Sequence, residues 1–150
     1  MEHDPEPTSV ADSIRITNDR QRIETLWNAL ESAMRERGYP KASTFAVRLA
    51  LEEAMTNAFR HGLRDMPPGT PITVEYRIEP RCVCLAVEDP GPGFDPQDVP
   101  DPTTDENLVR PGGRGLLLIR AYMTRADFRN QGRRLEMVYE KPTEPPHRVD

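Results

Sequence analysis

Glu53 and Asn57 stand one helical turn apart, and two glycine-bearing turns follow them, Asp89-Pro90-Gly91-Pro92-Gly93 and Gly112-Gly113-Arg114-Gly115. A carboxylate and a carboxamide so spaced share one side of a helix and could line one wall of a pocket. Glycines let a phosphate come close to backbone N–H groups, above all where a helix begins. Each alone has a plainer reading: a polar pair on a helix is ordinary surface, and short glycine runs mark ordinary turns. Their order and separation point to the walls of an ATP site. It is not a Walker A loop, since no Gly-Lys-Ser/Thr follows.

The elements that must hold these residues can be read from periodicity. A helix is expected from about Ala42, capped by Ser43 or Thr44, through Phe59 to Gly62, with Arg60 and His61 in its last turn. At 100° per residue Ala46, Ala50, Glu53 and Asn57 share one stripe, and Val47, Leu51, Ala54 and Ala58 form the apolar stripe beside it. The small alanines would leave space for a ligand against the helix backbone; Glu52 points away. Downstream, Ile72, Val74, Tyr76 and Ile78 alternate with polar residues, and a short Glu79-Pro80-Arg81 connection leads to a strand with Val83, Leu85 and Val87 on one face. Period-two counting puts Asp89 on that same apolar side. An acid so placed could accept from an exocyclic amine such as that of adenine, strengthened by desolvation.

Ile14 and Ile16 predict a short first strand, and Asn18 a cap for a helix to about Arg37 with Ile23, Leu26, Leu30 and Met34 at helical spacing. A third helix is expected over Leu116 to Met123, behind the second glycine turn. A final hairpin follows, Ala126 to Arg129 and Leu135 to Glu140, around Asn130-Gln131-Gly132. The order β-α-α-β-β-α-β-β predicts an α/β (α+β) two-layer sandwich, a mixed, mostly antiparallel sheet covered on one face by about three helices. The interior stretch from Asp95 to Pro111, rich in prolines, acids and threonines, reads as a loop.

The 150 residues suit a single domain over 13 to 140, with proline-containing tails, 1 to 12 and 141 to 150, expected to be disordered. With 20 Lys plus Arg against 25 Asp plus Glu, the net charge of −5 argues against nonspecific nucleic-acid binding. Cys82 and Cys84 fall on one face of a strand and are expected to be free thiols; a lone Cys-x-Cys lacks the four-ligand set of structural zinc. The beginning of the chain has no apolar signal core and no stretch approaches a membrane span, so a cytoplasmic protein is expected.

Glu53-Ala54-Met55-Thr56-Asn57-Ala58 with His61-Gly62, then Asp89-x-Gly91-x-Gly93, then Gly113-x-Gly115-Leu116 resembles the N, G1 and G2 boxes of the GHKL ATPases. More narrowly it resembles the anti-sigma-factor serine kinases, the RsbW and SpoIIAB group. The resemblance implies the Bergerat ATP-binding fold with ATP and Mg²⁺ as cofactors. Asn57 would hold Mg²⁺ between the phosphates, Asp89 would read adenine, and Glu53 would be the general base for a serine hydroxyl. Gly91, Gly93, Gly112, Gly113, Gly115 and Leu116 would shape the pocket, Arg110 and Arg114 would meet phosphate oxygens, and Asp95 to Pro111 would be a lid. The implied partners are a STAS-type antagonist protein, carrying the acceptor serine, and a sigma factor, with a homodimer suggested.

The chain departs from the family at the last hairpin, where many relatives carry a glycine-threonine pair and this one has Gly132 followed by Arg133 and Arg134. That departure motivates a different class, a nucleotide-responsive module that binds a regulator without phosphorylating it. A metal site of Glu53, Asn57 and His61, spaced by four, is a further reading, although a transition metal usually takes more His or Cys ligands. His61 is better explained as a helix-end residue.

Overall fold

The computed structural model describes residues 9–93 and 113–143, without the side chains of 113–115. Five strands and three helices follow the expected order: β1 (Val10–Ile16), α1 (Arg20–Glu36), α2 (Lys41–Asn57), β2 (Ile72–Ile78), β3 (Cys82–Glu88), α3 (Gly113–Tyr122), β4 (Arg125–Arg129) and β5 (Arg134–Glu140). The strands lie in the order β1-β2-β3-β5-β4, and every pairing among the described residues is antiparallel, so none of the parallel pairing of a mixed sheet is present there. β1 begins at Val10, inside the stretch expected to be a tail.

Register explains the core. Val74 pairs with Val87, and Val87 with Leu135; Tyr76 pairs with Leu85, and Leu85 with Met137, so the apolar positions of three central strands line one face. The helices cover that face. From α1 come Leu26, Trp27, Leu30, Ala33 and Met34, at the three- and four-residue spacing that makes one stripe, and Leu30 and Met34 are fully buried. Each such side chain contributes about 1.5–3 kcal/mol by leaving water. The opposite face of the sheet is polar, with Arg134 bridging Glu75, Glu88 and Glu136. Cys82 and Cys84 lie on that face as free thiols.

Both helix starts differ from the sequence reading. Asp19, not Asn18, caps α1, accepting from the Gln21 N–H at 2.9 Å. α2 begins at Lys41 behind an extended Pro40, with no side-chain cap, because Ser43 and Thr44 are already inside the helix and buried. Ser43 instead shares a hydrogen bond with the Tyr139 hydroxyl at 2.7 Å, tying α2 to β5. The break between α1 and α2 uses Gly38 at φ +80°, with the Tyr39 N–H donating to the Met34 carbonyl in a Schellman closure. Tyr39 then donates to the Glu79 carbonyl at 2.7 Å, so the helix pair is fastened to the β2–β3 turn.

Candidate functional site

Glu53 and Asn57 lie on the last two turns of α2, both half-buried. Among the described residues neither side chain makes a hydrogen bond or ion pair. Their neighbours Ala46 and Ala50 are buried, 5% and 0% exposed, so the alanine stripe is filled by protein and does not offer the open space expected beside the helix. The reason is α3, the helix that α2 packs against most extensively; alanines let two helix backbones approach closely. Glu53 and Asn57 therefore sit at the margin of the buried arc, facing outward from the packed side. Glu52 points elsewhere, to Arg48 at 2.9 Å.

Beyond Asn57 the helix changes pitch. Residues Ala58–Gly62 form a π turn, closed by the Leu63 N–H donating to the Ala58 carbonyl at 3.0 Å. Such single turns are often found at functional sites. Closing over five residues brings residue i+5 under residue i, so Gly62 falls beneath Asn57. The four-residue repeat that would have aligned His61 with Glu53 and Asn57 is broken, and His61 is exposed. Among the described residues no cluster of three His, Cys, Asp or Glu side chains could hold a metal ion.

Asp89 follows the end of β3 on the core side, as period-two counting places it, and is 9% exposed. Its N–H donates to the Arg133 carbonyl and its Oδ1 accepts from the Gly91 N–H, both at 2.9 Å. Burial holds this carboxyl above the usual carboxylate range, while the Gly91 N–H and the nearby Arg133 guanidinium act in the opposite direction. A Cβ on Gly62 would collide with Asp89 Oδ2, and one on Gly91 would collide with the Gly62 carbonyl. Gly93, at φ +76°, lies against the Gln131 carbonyl. The end of α2 and the turn after β3 thus meet through glycine backbone, leaving a carboxylate beside a surface that carries no side chain.

The second glycine turn is placed only in part. Helix α3 starts at Gly113, so Gly113, Arg114 and Gly115 form its first turn rather than a loop ahead of a helix at Leu116. Their backbone N–H groups include those that a helix leaves without internal partners. Leu116 is 6% exposed and Ile119 fully buried, which anchors this helix start to the core. Arg110, Gly112 and the expected lid from Asp95 to Pro111 lie outside the described residues. Sequence reasoning named two residues without placing them in the site: Gly62, whose backbone faces Asp89, and Arg133, which donates to the Gly91 carbonyl at 2.7 Å and the Pro92 carbonyl at 3.2 Å. That Gly62 faces Asp89, in the next box along the chain, could be found only with the fold in hand.

These residues fit a nucleotide with a divalent ion. Asp89 offers a desolvated acceptor in a glycine cradle, Asn57 a hard oxygen donor, and the start of α3 a positive helix end for phosphate. Among the described residues no helix is long and apolar enough to cross a membrane. A comparison with curated proteins finds no match. Among solved structures the chain is similar to the RsbU and RsbW domains of Rv1364c from Mycobacterium tuberculosis, with a TM-score of 0.59 and 16% identity. That match covers 93% of this chain and 34% of the other, so this chain spans about a third of its length. Residues 16–139 match the model of the histidine kinase-like ATPase domain. The two-layer antiparallel sandwich agrees with that match, and the chain belongs to the histidine kinase-like ATPase domain family.

Proposed function

We propose that the protein is an ATP- and Mg²⁺-dependent protein serine kinase of the anti-sigma type. The observation that carries the reading is the meeting of the buried Asp89 carboxylate with Gly62, at the end of the same helix that presents Glu53 and Asn57. Asp89 accepts from the amine of adenine, and Gly62, Gly91 and Gly93 let the end of α2, the turn after β3 and the last hairpin close together around that carboxylate. Asn57 holds Mg²⁺ through its amide oxygen, and Gly113, Arg114 and Gly115 receive the phosphates together with Arg110 and Gly112 of the preceding segment. Mg²⁺ supplies charge neutralisation across the phosphates when bound.

In this reading Glu53 takes the proton of a serine hydroxyl, supported by its position one turn before Asn57 and its lack of protein partners among the described residues. The likeness to a structure containing an RsbW domain supports a partner in sigma-factor regulation, with the serine on a small antagonist protein and a sigma factor as the second partner. Incubation with labelled ATP and candidate antagonists, wild type beside Glu53→Ala, tests the kinase reading. Equal labelling from both removes Glu53 as the base. Binding of nucleotide and regulator without any labelling favours a nucleotide-responsive binding module instead.

A further inference from the structure

Arg133 follows the glycine of the last hairpin, and all three nitrogens of its guanidinium donate hydrogen bonds. Nε donates to the Gly91 carbonyl at 2.7 Å, Nη2 to the Pro92 carbonyl at 3.2 Å and Nη1 to the Gln131 side-chain oxygen at 2.9 Å. Its own carbonyl accepts from the Asp89 N–H at 2.9 Å. A Cβ on Gly93 would meet the Gln131 carbonyl at 2.5 Å and Arg133 Cγ at 3.3 Å, so the whole turn after β3 rests on this residue. A planar fork with several fixed donors can bridge two carbonyls; the single ammonium of lysine cannot do so in the same geometry.

The hairpin that carries Arg133 is itself rigidly shaped. Asn130, Gln131 and Gly132 run at φ 52°, 58° and 81°, and the Gly132 and Arg133 N–H groups close back on the Arg129 and Asn130 carbonyls. Asn130 also donates to Glu88 at 3.0 Å, joining the hairpin to the residue before Asp89 on the polar face of the sheet. The charged groups that bear on Asp89 are Arg133 from this hairpin and Glu88 from its own strand, whereas the end of α2 presents Gly62 backbone, with Arg60 and His61 exposed beyond it. Arg133 thus bears on the carboxylate as a cation without pairing with it directly, and it also fixes the backbone whose N–H, that of Gly91, occupies Oδ1.

We propose that Arg133 is a specificity-determining positioning residue of the nucleotide site: it seats the Gly91–Gly93 turn on the last hairpin and keeps a cation beside Asp89, so the carboxylate meets the base purely as an acceptor and selects a purine with an exocyclic amine. An ionised carboxylate has no donor, whereas a protonated one has. A purine with a carbonyl at the amine's position would set acceptor against acceptor, and leaving such a buried pair unsatisfied costs about 1–3 kcal/mol, roughly tenfold or more in affinity. The inference rests on the nucleotide reading above and assigns the selectivity of that site to a residue outside its three boxes.

ATP and ITP differ at that purine position, amine against carbonyl, and serve as probes. Their binding is measured by calorimetry between pH 5 and pH 8 for the wild type, Arg133→Ala and Arg133→Lys, alongside a carbon-detected NMR titration of the Asp89 carboxyl without nucleotide. The wild type is expected to prefer ATP by about tenfold or more. Arg133→Ala should lose most of that preference, lose ATP affinity at a higher pH than the wild type as the solution is acidified, and titrate Asp89 higher. Arg133→Lys should restore the pH profile and the Asp89 titration while keeping a weaker ATP affinity. A folded Arg133→Ala protein with an unchanged ATP-to-ITP ratio and an unchanged Asp89 titration overturns the proposal. A wild type that binds neither nucleotide overturns the nucleotide reading and with it the selectivity; the Asp89 titration then still decides whether Arg133 acts on that carboxylate.

Discussion

The carboxylate of Asp89 lies against the α-carbon of Gly62 so closely that a methyl group on Gly62 would occupy the space of Oδ2. These residues are 27 positions apart in the chain, one ending the helical segment after α2 and the other following β3. Their contact turns two separate sequence boxes into one site wall. The π turn that finishes the helix brings Gly62, rather than a residue with a side chain, in front of Asp89.

Gly62→Ala is therefore expected to be damaging beyond its size. The added methyl must displace the Asp89 side chain or the turn through Gly91, and overpacking of this kind costs about 1–3 kcal/mol. Urea unfolding with and without Mg-ATP measures both effects. A variant with wild-type stability and wild-type nucleotide binding would show that the contact is loose.

Asp89→Asn should separate stability from function. Burial raises the Asp89 carboxyl above its ordinary 3.8, so the folded state holds that proton more tightly than the unfolded chain does. The contribution is fully present below the unfolded value and is lost as pH rises through the folded one, which leaves the ionised form a net cost near neutrality. Asparagine keeps an acceptor for the Gly91 N–H and removes the charge. The variant is expected to match or exceed wild-type stability at pH 7, with a flatter stability profile from pH 4 upward, and to lose nucleotide binding. Unfolding midpoints across that range, with an ATP titration, check it; a large loss of stability at pH 7 contradicts the assigned cost.

Asn57→Ala and Glu53→Gln should fail at different steps. Without the Asn57 oxygen, Mg-ATP should no longer raise the melting temperature, whereas for the wild type a ligand at about a hundred times its Kd adds roughly 2.7 kcal/mol. Glu53→Gln should retain that stabilisation and lose about 10²–10⁴-fold in phosphotransfer, the usual worth of a general base. Equal loss of binding in both variants contradicts the division of roles.

Ser43→Ala tests the seam between α2 and the sheet. Removing the Ser43 hydroxyl leaves the buried Tyr139 hydroxyl without its 2.7 Å partner, and an unsatisfied buried group of this kind costs about 1–3 kcal/mol. A double variant, Ser43→Ala with Tyr139→Phe, removes both hydroxyls and should recover part of the loss. Chemical denaturation of the four proteins gives the coupling energy.

Local pattern was enough for the elements and for the direction of Asp89. Side chains alternate along a strand whatever surrounds it, so Val83, Leu85, Val87 and Asp89 had to share a face, and the apolar spacing of Leu26, Leu30 and Met34 had to make a helix stripe. Local pattern was not enough for the caps, because Ser43 looks like a cap in sequence and becomes a core hydroxyl only when β5 brings Tyr139 to it. It could not show that Ala46 and Ala50 are filled by packing, since helical phase gives a direction and not the element that lies there. Nor could it show that Arg133 would reach the turn after β3. That contact exists because β5 inserts between β3 and β4, placing the last hairpin beside the end of β3, and the position of a strand in a sheet is set by long-range pairing that no local run of residues encodes.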